Sequence, residues 1–192
     1  MGREFEIKYR LTPAALEALS QRFGPFESVS METTYFDALD GALSARKWTL
    51  RRRLENGVSV CTLKTPAPNG ARGEWEAAAP DIETALPSLI ALGAPKELLT
   101  LAKGLRPVCS AQFTRQKAFF SWGSSQLELA LDQGRLLGGT KEAPIFEVEA
   151  EVKAGKDSDA LSFGAWLAAE YGLVPEPKSK YKRARELAQE GR

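Results

Sequence analysis

Residues 4–10 read Glu4-Phe5-Glu6-Ile7-Lys8-Tyr9-Arg10, charged and apolar side chains in strict alternation. Successive side chains of an extended chain point to opposite faces, so this period of two predicts a strand over 3–10. Its ionic face carries Glu4, Glu6, Lys8 and Arg10, and its apolar face carries Phe5, Ile7 and Tyr9. The pattern returns near the other end of the chain, where Glu147, Glu149 and Glu151 alternate with Phe146, Val148 and Ala150. Between these ends, Arg51 and Arg53 stand opposite Leu50 and Leu54, and Lys64 opposite Leu63. Arg72, Glu74 and Glu76 share a face away from Trp75, Arg115 falls in with Lys117, and Glu128 and Asp132 oppose Leu127, Leu129 and Leu131.

Nearly every strand is therefore two-sided, and two architectures accommodate that. In an open sheet, helices cover the apolar face and the ionic face meets water. In a closed sheet, the ionic face turns inward and helices shield the hydrocarbon outside. Amphipathicity alone favours the open sheet, because ionic side chains are rarely buried. The order of the charges favours closure. Glu-x-Glu-x-Glu, Glu-x-Glu and Arg-x-Arg place like charges next to one another on one face, a repulsion that counter-ions must relieve. Carboxylates attract divalent cations, and paired arginines attract phosphate or carboxylate. A phosphate chain with metal ions satisfies both walls.

Local signals supply the remaining elements. Thr12 and Pro13 read as N-cap and first residue of a helix to about Arg22. A strand follows over 29–36, with Asp40-Gly41 as a turn after it. Residues 47–55 and 58–65 form a hairpin about Asn56-Gly57, the preferred dipeptide of a type I′ turn. A short strand spans 72–79, and 81–103 is helical but broken near Gly93-Ala94-Pro95. Strands are expected at 108–121, 125–137 and 145–153, and helices at 159–171, capped by Asp157 or Ser158, and from about Lys180. The expectation is an α+β fold of eight strands.

The composition of the 192 residues, 43% hydrophobic and 27% charged, is that of a soluble globular protein. Lys and Arg number 26 against 25 acids, a net charge of +1 that predicts no pull toward nucleic acid or membrane surfaces. Histidine is absent, which excludes Ser-His-Asp and Cys-His catalysis and imidazole-based zinc sites. Cys61 and Cys109 lack metal-type spacing and read as buried free thiols. Charge begins at Arg3, where a signal peptide would build an apolar run, so a cytoplasmic location is expected.

The residues that carry the charge pattern also carry a resemblance. Glu4-Phe5-Glu6-Ile7-Lys8 matches the Glu-x-Glu-x-Lys signature of the CYTH superfamily, the triphosphate tunnel metalloenzymes. Tyr35-Phe36-Asp37, Leu50-Arg51-Arg52-Arg53, Thr62-Leu63-Lys64, Arg72 to Glu76, Arg115, Glu128 to Asp132, Glu147 to Glu151 and Lys178 to Tyr181 follow in family order. The run Leu131-Asp132-Gln133-Gly134 and the closing Glu-x-Glu-x-Glu strand resemble the bacterial inorganic triphosphatase branch.

The resemblance implies a closed eight-stranded antiparallel β-barrel forming a tunnel, with helices packed on its outside. It implies one domain over 1–192, without the C-terminal helical CHAD domain that branch often carries. The implied activity is metal-dependent hydrolysis of inorganic triphosphate, a small anionic substrate, with Mg²⁺ or Mn²⁺ as cofactor. Thiamine or nucleoside triphosphate hydrolysis, adenylate cyclisation and non-catalytic polyphosphate binding are the alternatives. Carried over by residue, Glu4, Glu6, Glu147, Glu149 and Glu151 are metal ligands, with Asp132 a further candidate. Lys8, Arg51, Arg53, Lys64, Arg115 and Lys117 bind phosphate, Lys8 also being a catalytic candidate. Glu74 and Glu76 orient the attacking water or a second metal. Lys178 and Lys180 stand at one mouth of the tunnel, or at the solvated start of the last helix.

Overall fold

The computed structural model describes residues 2–190. The strands form one antiparallel sheet: β1 (Gly2–Glu4), β2 (Glu6–Arg10), β3 (Glu27–Asp37), β4 (Thr49–Glu55), β5 (Val58–Pro66), β6 (Arg72–Ala78), β7 (Arg106–Trp122), β8 (Ser125–Gly138) and β9 (Lys141–Ala154). Their order is β1-β6-β5-β4-β3-β7-β8-β9-β2, nine strands where eight were expected. The difference lies in residues 3–10. Glu4 pairs with Arg72 on β6, whereas Glu6 pairs with Glu151 on β9, so the expected first strand is split at Phe5 between the two edges of the sheet. No straight strand can follow both edges, so the ladder steps across at one residue, and Phe5 O accepts from Val152 N at 2.9 Å as it does so. The covalent chain thereby closes the sheet into a nearly complete barrel. Along the other side of β2 run residues 174–176, with Arg10 N donating to Val174 O and Glu176 N to Lys8 O, each at 2.9 Å.

The β4–β5 hairpin turns where the dipeptide signal placed it, with Asn56 and Gly57 both at positive φ (48° and 86°), as a type I′ turn demands. Helix α1 (Pro13–Phe23) starts at Thr12, whose Oγ1 accepts from Ala15 N. With α5 (Asp157–Tyr171) it covers the outer face of β2, β8 and β9, burying Leu127, Leu129, Leu131 and Val148 against Leu19, Phe163 and Leu167. Helices α2 (Ala42–Ala45), α3 (Ile82–Ala91) and α4 (Leu98–Leu101) cover β4 to β6, where Leu50, Leu63 and Trp75 meet Leu43, Leu89 and Leu98. Each such leucine contributes about 1.5–3 kcal/mol by leaving water, so the outer hydrocarbon carries the fold. Both cysteines are free and buried. No helix is long and apolar enough to cross a membrane.

The last helix, α6 (Lys180–Gln189), departs from the expectation that helices lie outside. Cys109, Ala111 and Phe113 share the side-chain parity of Arg115, Leu136 that of Asp132, and Ile145 that of Glu147, so all face inward. Tyr181 and Ala184 of α6 pack against them. At one end of the barrel the inner face is thus apolar, and a helix fills it. Tyr181 lies 5.2 Å from Tyr35, centroid to centroid, and Arg185 Nη1 donates to Asp37 at 2.7 Å, which ties α6 to the end of β3. Gly138 makes room for it: a Cβ there would stand 2.2 Å from Ala184 O and 2.6 Å from Ala188 N. Gly138→Ala should therefore lose about 1–3 kcal/mol of unfolding free energy in urea melts, the range for an overpacked contact.

Candidate active site

Closure encloses a charged cavity of about 230 Å³. Glu4, Arg53 and Glu149, from three different strands, are 5%, 8% and 7% exposed, so the ionic faces converge instead of meeting bulk water. Of the residues singled out from sequence, Glu4, Glu6, Lys8, Arg51, Arg53, Lys64, Glu74, Glu76, Arg115, Lys117, Glu149, Glu151 and Lys180 line the cavity. Asp132 and Glu147 lie just behind its wall, fully buried.

Two residues fall elsewhere. Lys178 is exposed and its Nζ bonds Glu186 at 2.8 Å, so it faces away from the cavity. Arg10, on the inward parity of β2, is at the strand end beside residues 174–176 and reaches out to Glu176 at 3.0 Å.

One face of the cavity is an ionic knot. A carboxylate oxygen from each of Asp132, Glu147 and Glu149 falls within 4.8 Å of the others, the spacing of a candidate cation site. Lys180 Nζ reaches all three, at 2.6 Å from Asp132, 2.8 Å from Glu149 and in contact with Glu147. Arg115 grips Asp132 with two bonds, at 2.8 and 2.7 Å, and also reaches Glu149; Arg183 bonds Glu147. Burial opposes the charge on Asp132 and Glu149, but Arg115 and Lys180 outweigh it and hold both carboxyls below the usual range. Burial prevails at Glu147 and pushes it up, so it is the carboxyl of the knot that protonates first on acidification. Burial also opposes the charge on Lys180, and the three carboxylates reverse that, holding it well above an ordinary lysine.

The opposite face is cationic. Arg51 and Arg53 project from β4, and Arg51 Nε is buried with no acceptor among the described residues. The carboxylates nearest Arg51 are distant, Glu76 at 3.8 Å and Glu74 at 3.9 Å. Burial pushes the Arg53 guanidinium down, with Arg51 and Arg115 adding to it, although Glu55 at 3.2 Å opposes the shift. Lys64 pairs with Glu4 and, at 3.0 Å, with Glu74. Lys8 lies 3.5 Å from Glu149 and 3.6 Å from Glu6; burial lowers its pKa, but these acids raise it further.

At the seam, Glu6 stands opposite Glu151, which stands opposite Glu128. Glu4 Oε2 is buried without a donor among the described residues. Burial pushes Glu151 up despite Lys153 at 2.9 Å. Free carboxylate oxygens beside unrelieved acids suit a divalent cation.

Sequence reading passed over several lining residues. Lys153 continues the parity of Glu147 to Glu151, and Glu55 that of Arg51 and Arg53, so both were within reach of the strand rule. Tyr181, matched in sequence only as part of the Lys178 to Tyr181 run and given no role, comes from α6, whose entry into the barrel no strand period announces.

Lys180 holds the knot by charge, so Lys180→Met leaves buried carboxylates uncompensated. Unfolding free energy at pH 7 should fall by about 3–5 kcal/mol, the penalty for breaking a buried ion pair from one side. The deficit should shrink as pH falls through the carboxyl range, because protonation removes the unpaired charge; urea melts at several pH values read both effects.

Comparison with known proteins agrees with this geometry. Residues 2–184 match the CYTH domain family. The chain is 31% identical over 192 residues to the inorganic triphosphatase of Haemophilus influenzae (strain ATCC 51907 / DSM 11121 / KW20 / Rd), covering 95% of this chain and 54% of that protein. The chain thus spans about half the length of this curated relative. Among solved structures, the Hippeastrum protein HpAC1, for which a dominant triphosphatase activity is described, superposes with a TM-score of 0.65 at 19% identity, over 100% of this chain and 97% of that one. The PH1819 protein of Pyrococcus horikoshii OT3 gives 0.63 at 21% identity, over 98% and 99% of the two chains. At these identities the superpositions speak to the fold alone. The match over residues 2–184 establishes that this chain belongs to the CYTH domain family.

Proposed function

We propose that this chain hydrolyses inorganic triphosphate in the barrel with the help of a divalent cation, Mg²⁺ or Mn²⁺. The observation that carries the reading is a cavity of about 230 Å³ in which buried Arg51 and Arg53 face carboxylates from β1, β2 and β9. A phosphate chain with its metal is the ligand class that relieves both walls at once. The triphosphatase named among the relatives supports the same reading.

Glu4, Glu6 and Glu151 are the ligands we assign to the cation. Glu4 has an unpartnered oxygen, and Glu6 and Glu151 are direct cross-strand neighbours. Asp132, Glu147 and Glu149 suit a metal by spacing, but Lys180 already neutralises them in this arrangement. When bound, the cation supplies charge neutralisation at the phosphate oxygens and lowers the pKa of water.

The chain's own side chains do the rest. Arg51, Arg53 and Arg115 grip phosphate oxygens with planar forks, and Lys8, Lys64 and Lys117 act as point charges. Lys180 faces the same space and adds a further positive charge. Glu76 accepts from Thr62 Oγ1 at 3.0 Å, and with Glu74 it flanks Arg51, where the pair can orient a water for attack on a terminal phosphorus. Positioning and neutralisation of this kind supply most of the catalysis in phosphoryl transfer. Trp48 and Trp75 pack among the apolar side chains of the outer sheet, and Trp122 does so beside α5, so none of them offers an organic triphosphate a stacking surface in the cavity.

Phosphate release from triphosphate, ATP and thiamine triphosphate, with Mg²⁺, Mn²⁺ or EDTA, tests the reading. Triphosphate should be turned over fastest, and only with metal; tight binding without turnover would replace the hydrolase with a binding module. Arg51→Ala should lower kcat/KM by about tenfold to a hundredfold, as for loss of a charged hydrogen bond. Glu6→Gln and Lys8→Ala should each abolish most of the metal-dependent rate.

A further inference from the structure

Three cavities meet at the start of β6. The central cavity adjoins two vestibules, of about 300 and 570 Å³, and Arg72 and Ser179 line all three. The vestibules differ in sign. The smaller carries Glu4, Glu6 and Glu176 against Lys8 and Arg72; the larger carries Lys47, Arg72, Lys182 and Arg185, and its one acid, Glu186, is held by Lys178. A polyanion is therefore drawn to the larger opening in preference to the smaller.

Arg72 also differs from every other cation of the central cavity. Lys8, Arg51, Arg53, Lys64, Arg115, Lys117, Lys153 and Lys180 each have a carboxylate within 4.0 Å. Among the described residues Arg72 has none, although its strand position, opposite Glu4 on one side and Pro66 on the other, is secured by the backbone ladder. A partnered cation must loosen from its carboxylate, or await a metal to occupy that carboxylate, before it can serve phosphate fully. Arg72 has nothing to release, and its guanidinium keeps its fork of donors for an oxyanion.

We propose that Arg72 is the capture residue of the tunnel: it holds a triphosphate arriving through the basic vestibule before, and independently of, any divalent cation. The proposal rests on the triphosphate reading of the cavity and assigns the first binding step to one residue. Glu4, Glu6 and Glu151 would hold the divalent cation, and Arg51 and Arg53 would take over the phosphate oxygens deeper in the cavity.

Calorimetry with sodium tripolyphosphate in EDTA tests this directly. Wild type should bind without metal, and Arg72→Ala should bind at least about tenfold more weakly, the size of a lost charge-assisted contact. Arg72→Lys should recover part of the loss, and Lys103→Ala, which removes an exposed charge outside the cavity, should match wild type. In turnover assays with metal, Arg72→Ala should raise KM while kcat stays within about twofold, the signature of a binding contact. Arg72→Gln serves the same comparison if the alanine variant does not fold. Absence of metal-free binding in wild type, equal affinity in Arg72→Ala, or a loss confined to kcat would each overturn the assignment. Wild type that binds triphosphate in EDTA yet never hydrolyses it would overturn the hydrolase and leave the Arg72 comparison intact.

Discussion

Much of this structure depends on one ammonium group. Lys180 Nζ, at the start of α6, meets Asp132 on β8 and Glu147 and Glu149 on β9, all buried. Without a cation there, three carboxylates within 4.8 Å of one another would face a low-dielectric wall. With it, the knot ties the last helix to the strands that close the barrel. Arg115 and Arg183 complete the neutralisation from β7 and α6.

That constraint explains why hydrocarbon and charge have exchanged places. In most β-barrels of this size side chains fill the interior. Here the apolar layers on the outer surface, under α1 and α5 on one side and α2 to α4 on the other, supply most of the burial energy. The interior is left for ions. An interior of this kind persists only where opposite charges can be interleaved, and the antiparallel register does so by setting Lys8 against Glu149, Arg115 against Asp132 and Lys64 against Glu74. The arrangement is a rigid field of charges already paired with one another.

The inner surface is also divided along its length. Toward one end, Phe113, Leu136 and Ile145 replace ions on the same strands, and α6 seats there through the gap at Gly138. The cavity is therefore a segment of the barrel interior, open through two vestibules, the larger of them predominantly basic, that join at Arg72 and Ser179.

Strand identity, the Asn56-Gly57 hairpin, the Thr12 cap and the division of each strand into ionic and apolar faces follow from local periods, because side-chain direction in a strand is set by the backbone of that strand alone. The inward residues of β4, β7 and β9 were legible for the same reason. Three features were not. The break at Phe5 depends on which edges β1 and β2 must reach, a property of the closed sheet. The entry of α6 depends on apolar inner positions of three strands acting together, and it carries Lys180 from an expected mouth into the buried knot and leaves Lys178 in solvent. The outward turn of Arg10 depends on residues 174–176, distant in sequence. Alternation alone determined what each face was made of; only closure of the sheet decided which charges meet, because Coulomb partners are chosen by distance in space and not by position along the chain.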